Sequence, residues 1–148
     1  KTQWLPGGCT LWRQSVVREF PQTEINTNWA AGEDVRFSYP ISKKYPLYVC
    51  AAAKAFDNGQ IISKPTPARA RFQGHRESVA YMYLVELNRD LSYTRCAMMV
   101  AVSSIVLLIK TFGNTERSIY RSVGYWIGLG DLAKALLGGR SLKSALED

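Results

Sequence analysis

The sequence predicts an α/β chain, short strands alternating with helices, followed by a helical C-terminal tail. Three observations carry that prediction. Segments 4–8, 46–50 and 53–57 are short, extended in character and bounded by Gly, Pro or Asn. Segments 11–20 and 69–90 carry apolar residues at helical spacing. From residue 93 onward the chain is apolar or amphipathic and lacks strand-like punctuation. The length, 148 residues with 47% apolar and 21% charged, allows a true core and excludes collagen, coiled coil and wholesale disorder. Two regions are expected, 1–92 and 93–148.

Trp4-Leu5-Pro6-Gly7-Gly8 reads as an extended segment entering a tight turn, where two glycines allow positive φ or close approach of a ligand. Leu11, Val16, Val17 and Phe20 suit a short helix closed by Pro21. Residues 22–31 are polar and read as a loop. Gly32-Glu33-Asp34 opens a second helix, with two acids complementing its free N–H groups, and Pro40 is expected to limit it to about two turns. Strands are expected at 46–50 and 53–57, then a mobile loop over 58–68 containing Asn58-Gly59, Pro65 and Pro67. A longer helix is expected over 69–90, with Val79, Met82, Tyr83 and Leu87 near one face.

Residues 96–109 are free of charge and flanked by Arg95 and Lys110. As a helix they would reach about 21 Å, short of the roughly 30 Å hydrocarbon core of a bilayer. Two readings stand: a buried core helix, or a helix lying in the membrane interface. The following segment interleaves Tyr120, Tyr125, Trp126 and several leucines with Arg117, Arg121 and Lys134. That pattern suits a membrane surface and equally a terminal helix docked on the domain.

The formal charge is +7, and it is uneven. Residues 36–76 hold eight basic side chains against Asp57 alone, and the remaining eleven basic and eleven acidic residues cancel. Such a basic segment attracts phosphates on nucleotides or lipids, or is a solvated face. No RNP motif, zinc finger or basic zipper accompanies it, and no nucleic-acid partner is expected. Cys9, Cys50 and Cys96 are odd in number, distant and never spaced as CxxC, which points to a reduced, cytoplasmic setting without a disulfide scaffold or zinc site. The chain opens on Lys1 and first shows methionine at Met82, so it is expected to be a processed product or a fragment; its opening residues do not form a signal peptide.

Several chemistries lack their residues. A nucleophilic triad has one histidine, His75, and no GxSxG; P-loop and GxGxxG sequences are missing. His75, between Gly74 and Arg76, reads as a surface histidine. Glu33-Asp34 stands out: an acidic pair at a helix start stays ionised and can take a proton from a hydroxyl. The same pair also serves simple capping.

Trp4-Leu5-Pro6-Gly7-Gly8-Cys9-Thr10-Leu11-Trp12-Arg13, then Gly32-Glu33-Asp34-Val35-Arg36-Phe37-Ser38, then Lys43-Lys44-Tyr45-Pro46-Leu47-Tyr48-Val49, then Ala53-Lys54-Ala55-Phe56-Asp57 resembles the acceptor-side, C-terminal half of an inverting family 2 glycosyltransferase with a GT-A-type, Rossmann-like fold. The region around Pro67, Arg69, Gly74 and Arg76, and the helix with Tyr81, Tyr83 and Asn88, is similar to the family's continuation, so the likeness covers about residues 4–90. It departs at Asp57, where the family often has histidine, at Pro40 within the helix, and at Ala80, where asparagine is common.

The resemblance implies transfer of a sugar from a nucleotide-sugar donor to an acceptor hydroxyl, on a saccharide or a lipid-linked acceptor, as in polysaccharide biosynthesis. Asp34 would be the general base, Glu33 would position the acceptor, and Gly7 and Gly8 would let the backbone approach the substrates. Arg69 and Arg71 would contribute to substrate binding. A divalent cation, Mg2+ or Mn2+, is implied, with Asp57 as its candidate ligand. The family's nucleotide-binding half with its Asp-containing metal motif is not in these residues, so this stretch alone is expected to be inactive. The C-terminal region would meet the inner face of the membrane peripherally. The alternative is a non-catalytic basic module for membrane surfaces or interactions.

Overall fold

The computed structural model describes residues 1–3, 5, 10–22, 31–54, 66–111, 116–139 and 141–147, with side chains omitted at 110, 111, 116 and 117. Six helices occur among the described residues: α1 (Gln14–Glu19), α2 (Glu33–Lys44), α3 (Pro67–Leu87), α4 (Tyr93–Thr111), α5 (Glu116–Leu136) and α6 (Leu142–Glu147). The expected α/β, Rossmann-like class is therefore corrected: the described residues are helical and contain no sheet. The strand expected at 46–50 is reduced to one antiparallel bridge, in which the Thr2 N–H donates to the Leu47 carbonyl at 3.0 Å. Leu47 is buried there, but Tyr48 and Val49 are 67% and 69% exposed, and Pro46 has no N–H to donate. One buried residue gives no apolar face on which a sheet could form. Of the strand expected at 53–57, Ala53 instead closes a turn onto the Cys50 carbonyl, and residues 55–57 lie outside the described residues.

The chain divides into two compact units, Lys1–Glu24 with Gly32–Ile61, and Ile25–Ala31 with Ile62–Asp148. In the first unit, Val16 of α1, Ile41 of α2 and Leu47 form a small core flanked by Leu5, Trp12, Phe20, Phe37 and Tyr45. Helix α2 runs through Pro40 rather than ending there. Proline removes one helical N–H and crowds the preceding turn, yet Ile41 just beyond it is fully buried. Burial of Ile41 against Val16 and Leu47 offsets that cost by about 1.5–3 kcal/mol.

The second unit is built on α3. Thr66 caps it by accepting from the Arg69 N–H at 3.3 Å, and Pro67 occupies the first turn. Close contact with α5 requires glycine. A Cβ on Gly74 would overlap the Arg121 carbonyl, one on Gly124 would overlap the Arg71 carbonyl, and one on Gly128 would overlap the Ser78 hydroxyl. Arg71, Gly74, His75 and Ser78 on α3 thus lie against Arg121, Gly124 and Gly128 on α5, and the two backbones meet directly. Val79, Met82, Tyr83, Val100, Tyr125 and Leu132 join the core, and Leu142, Ala145 and Leu146 of α6 cover it. A Ser104–Ser122 hydroxyl pair at 2.5 Å, fully buried, ties α4 to α5.

Helices α4 and α5 are only half used by this core. On α4, Met98, Met99, Val102, Ile105, Val106 and Ile109 are exposed and recur at i, i+1, i+4, i+7, i+8 and i+11. On α5, Ile119, Tyr120, Val123, Trp126 and Ile127 do the same. Each helix therefore shows solvent an apolar stripe. None of the described helices is long and apolar enough to cross a membrane.

Candidate functional site

Gly32 enters α2 with φ of 64°, the left-handed region that favours glycine. The chain turns there and delivers Glu33 and Asp34 into the first helical turn. Asp34 is half-buried, and its Oδ1 accepts the Val35 N–H at 2.9 Å; Glu33 is exposed. One turn on, the buried Ser38 hydroxyl donates to the Asp34 carbonyl at 2.7 Å and accepts the Leu5 N–H at 3.0 Å. The segment leading to Gly7-Gly8 is thereby fastened to α2 within one turn of Asp34. Gly7 and Gly8 themselves lie outside the described residues.

Aromatic contacts brace this corner. Trp12 meets Phe37 edge-on at 5.0 Å, and its indole N–H donates to Thr10 Oγ1 at 3.1 Å. Glu19 of α1 pairs with Lys44 and accepts the Tyr45 hydroxyl at 2.7 Å, and those two hydrogen bonds hold its carboxyl below the usual range. A cleft of about 430 Å³ opens between α1, α2 and residues 45–48, lined by Leu11, Trp12, Ile41, Tyr45 and Tyr48 among others. Asp34 does not line it.

Arg69 and Arg71 are exposed on the first turns of α3, in the second unit. With Ala68, Phe72, His75 and Ile127 they line an open groove of about 680 Å³. The acidic pair and the two arginines are thus carried by different units. Asp57, the candidate cation ligand, lies outside the described residues, and among those described no group of three or more His, Cys, Asp or Glu could hold a metal ion.

The second unit also holds polar groups that sequence reading passed over. His75 is mostly buried rather than a surface residue, and its Nε2 lies 2.8 Å from Asp131 Oδ2. Burial acts to raise the Asp131 carboxyl, but hydrogen bonds from His75 and Lys134 outweigh it and hold the group below the ordinary aspartate value. Glu77 is gripped by Arg121 through two guanidinium nitrogens and also accepts the Tyr125 hydroxyl at 2.7 Å. Burial and the donation to Glu77 push the Tyr125 phenol upward. A signal existed in the sequence for the first pair: Asp131 is the sole acid between Glu116 and Glu147, set among apolar residues, where an acid needs a partner. Burial pushes the Cys96 thiol up to about 11, which leaves it unreactive near neutral pH.

No protein-family model matches the chain, and neither a curated protein nor a solved structure is significantly similar to it.

Proposed function

We propose that this chain is the acceptor-side portion of an inverting nucleotide-sugar glycosyltransferase, held peripherally at the cytoplasmic face of a membrane, with Asp34 as general base. The observation that supports it most is the Leu5–Ser38 hydrogen bond, which with the bond from Ser38 to the Asp34 main-chain carbonyl ties Leu5 to α2 one turn from the acidic pair. In the proposed reaction Asp34 takes the proton of an acceptor hydroxyl. The freed oxygen attacks the anomeric carbon of the donor. The bond from that carbon to the diphosphate breaks, and its electron pair leaves with the nucleoside diphosphate. One carboxylate on the acceptor side suffices, because the leaving group departs from the opposite face. Glu33, exposed beside it, is available to hydrogen-bond a second acceptor hydroxyl.

The exposed apolar stripes of α4 and α5 favour membrane contact and also support the second reading, a non-catalytic membrane-surface module. Expression of the natural reading frame that encodes these residues separates the two. The first reading expects transfer from a nucleotide sugar with inverted anomeric configuration, and Asp34→Asn lowers turnover by about 10²–10⁴-fold without change in the circular dichroism spectrum. Full activity in that variant removes Asp34 as base. Membrane binding with no turnover of any nucleotide sugar leaves the second reading.

A further inference from the structure

The groove on α3 is lined by both cationic and apolar side chains. Arg69 and Arg71 are exposed at it, and among the described residues neither has an ion-pair partner. His75 shows part of its ring there while Nε2 is held on Asp131. Arg76, the next residue, is 2% exposed, and its guanidinium lies 4.8 Å from the centroid of the Phe72 ring that forms the groove wall. Its Nε and Nη1 have no hydrogen-bond partner. A buried guanidinium so poorly compensated adds positive potential behind an already cationic surface. Ile127 belongs both to the groove and to the exposed apolar stripe of α5, which also carries Trp126 and Val123.

We infer that this groove takes an anionic lipid, its phosphate drawn to the arginine-lined surface that Arg69 and Arg71 supply and its apolar part continuing over Phe72 and Ile127 onto the α5 stripe. The inference deepens the membrane contact proposed above and rests on it. A lipid fits better than a free phosphate because the groove is open and two of its walls are apolar, surfaces that inorganic phosphate would leave unused. Two arginines at an anionic surface correspond to roughly thirtyfold in affinity.

The test is flotation of the full chain with phosphatidylcholine vesicles, with and without added phosphatidylglycerol. Arg69→Gln/Arg71→Gln is compared with Arg89→Gln/Arg95→Gln, which removes the same charge from exposed positions outside the groove. The expected result is a strong preference for phosphatidylglycerol that falls roughly thirtyfold in the groove variant and far less in the matched one. Equal losses in both variants would overturn the groove and leave only general surface charge. So would calorimetric binding of inorganic phosphate, abolished in the groove variant, without any lipid preference. Failure to float with any vesicle overturns the membrane contact itself and the groove with it, whereas flotation without lipid preference overturns the groove alone.

Discussion

At the scale of the residue, Asp131 shows how a buried acid is made tolerable. Its carboxylate sits between the His75 ring and the Lys134 ammonium, 2.8 Å and 3.3 Å away. Because the folded state lowers its pKa, the contribution to stability is complete above the unfolded value of about 4. It is lost as pH falls through the folded value. Asp131→Asn should therefore cost about 1–3 kcal/mol near neutrality, where a buried partner is left unmatched. The variant and the parent should converge as the pH drops below about 4. Denaturant midpoints measured across that range check it; a constant gap would show that the charge is not involved. His75 alone gave no sign of this pairing in sequence, since its partner lies far along the chain. The start of α2 at Glu33-Asp34 was legible because acids in a first helical turn are a local pattern, whereas the bond from the Val35 N–H to the Asp34 carboxylate had no sequence signal.

At the scale of the element, helices were more readable than strands. The spacing of Val79, Met82 and Tyr83 belongs to α3 itself, so periodicity found that helix, although Leu87, expected on the same face, is exposed at its end; Thr66-Pro67 places the start two residues before the expected one. The strands failed because extended segments become strands only with a partner. Residues 46–50 meet a single one, Thr2, in the described residues. Pro40 misled in the other direction: tertiary burial of Ile41 carries α2 past it. The glycines of α5 separate two roles that sequence cannot distinguish. Gly124→Ala should destabilise the chain by about 1–3 kcal/mol or more, since its Cβ meets α3 backbone. Gly130→Ala should stabilise by about 0.5–1 kcal/mol, since nothing lies within 4 Å of its Cβ. Thermal or urea unfolding of the pair decides; destabilisation by both would mean that α5 is strained at Gly130 as well.

At the scale of the whole molecule, two units carry two kinds of surface. The first presents the acidic pair and a braced aromatic cleft. The second presents apolar stripes beside arginines. The sequence showed the apolar run and the basic excess, but left open whether residues 96–109 are core or surface. The helix they belong to has both faces: Val100 and Ser104 are buried, and Met98 to Ile109 repeat outward. At 19 residues α4 is about 28 Å long, and none of the described helices is long and apolar enough to cross a membrane. Flotation should therefore be reversible by carbonate washing, as expected for in-plane helices; resistance to the wash would require insertion. The motif order over residues 4–57 is what the sequence offers toward catalysis, and the two units show why composition alone did not reveal where its parts would lie.

The proposed role of Asp34 is most directly tested by changing the acidity of the acceptor rather than the enzyme alone. A base is needed for an alcohol but hardly for a thiol analogue, whose pKa is roughly 8.5 and which ionises without help in mildly alkaline buffer. With the whole gene product, Asp34→Asn should lose transfer to the alcohol by about 10²–10⁴-fold while keeping most of its transfer to the thiol. Equal loss on both acceptors, or no loss on the alcohol, would contradict the account.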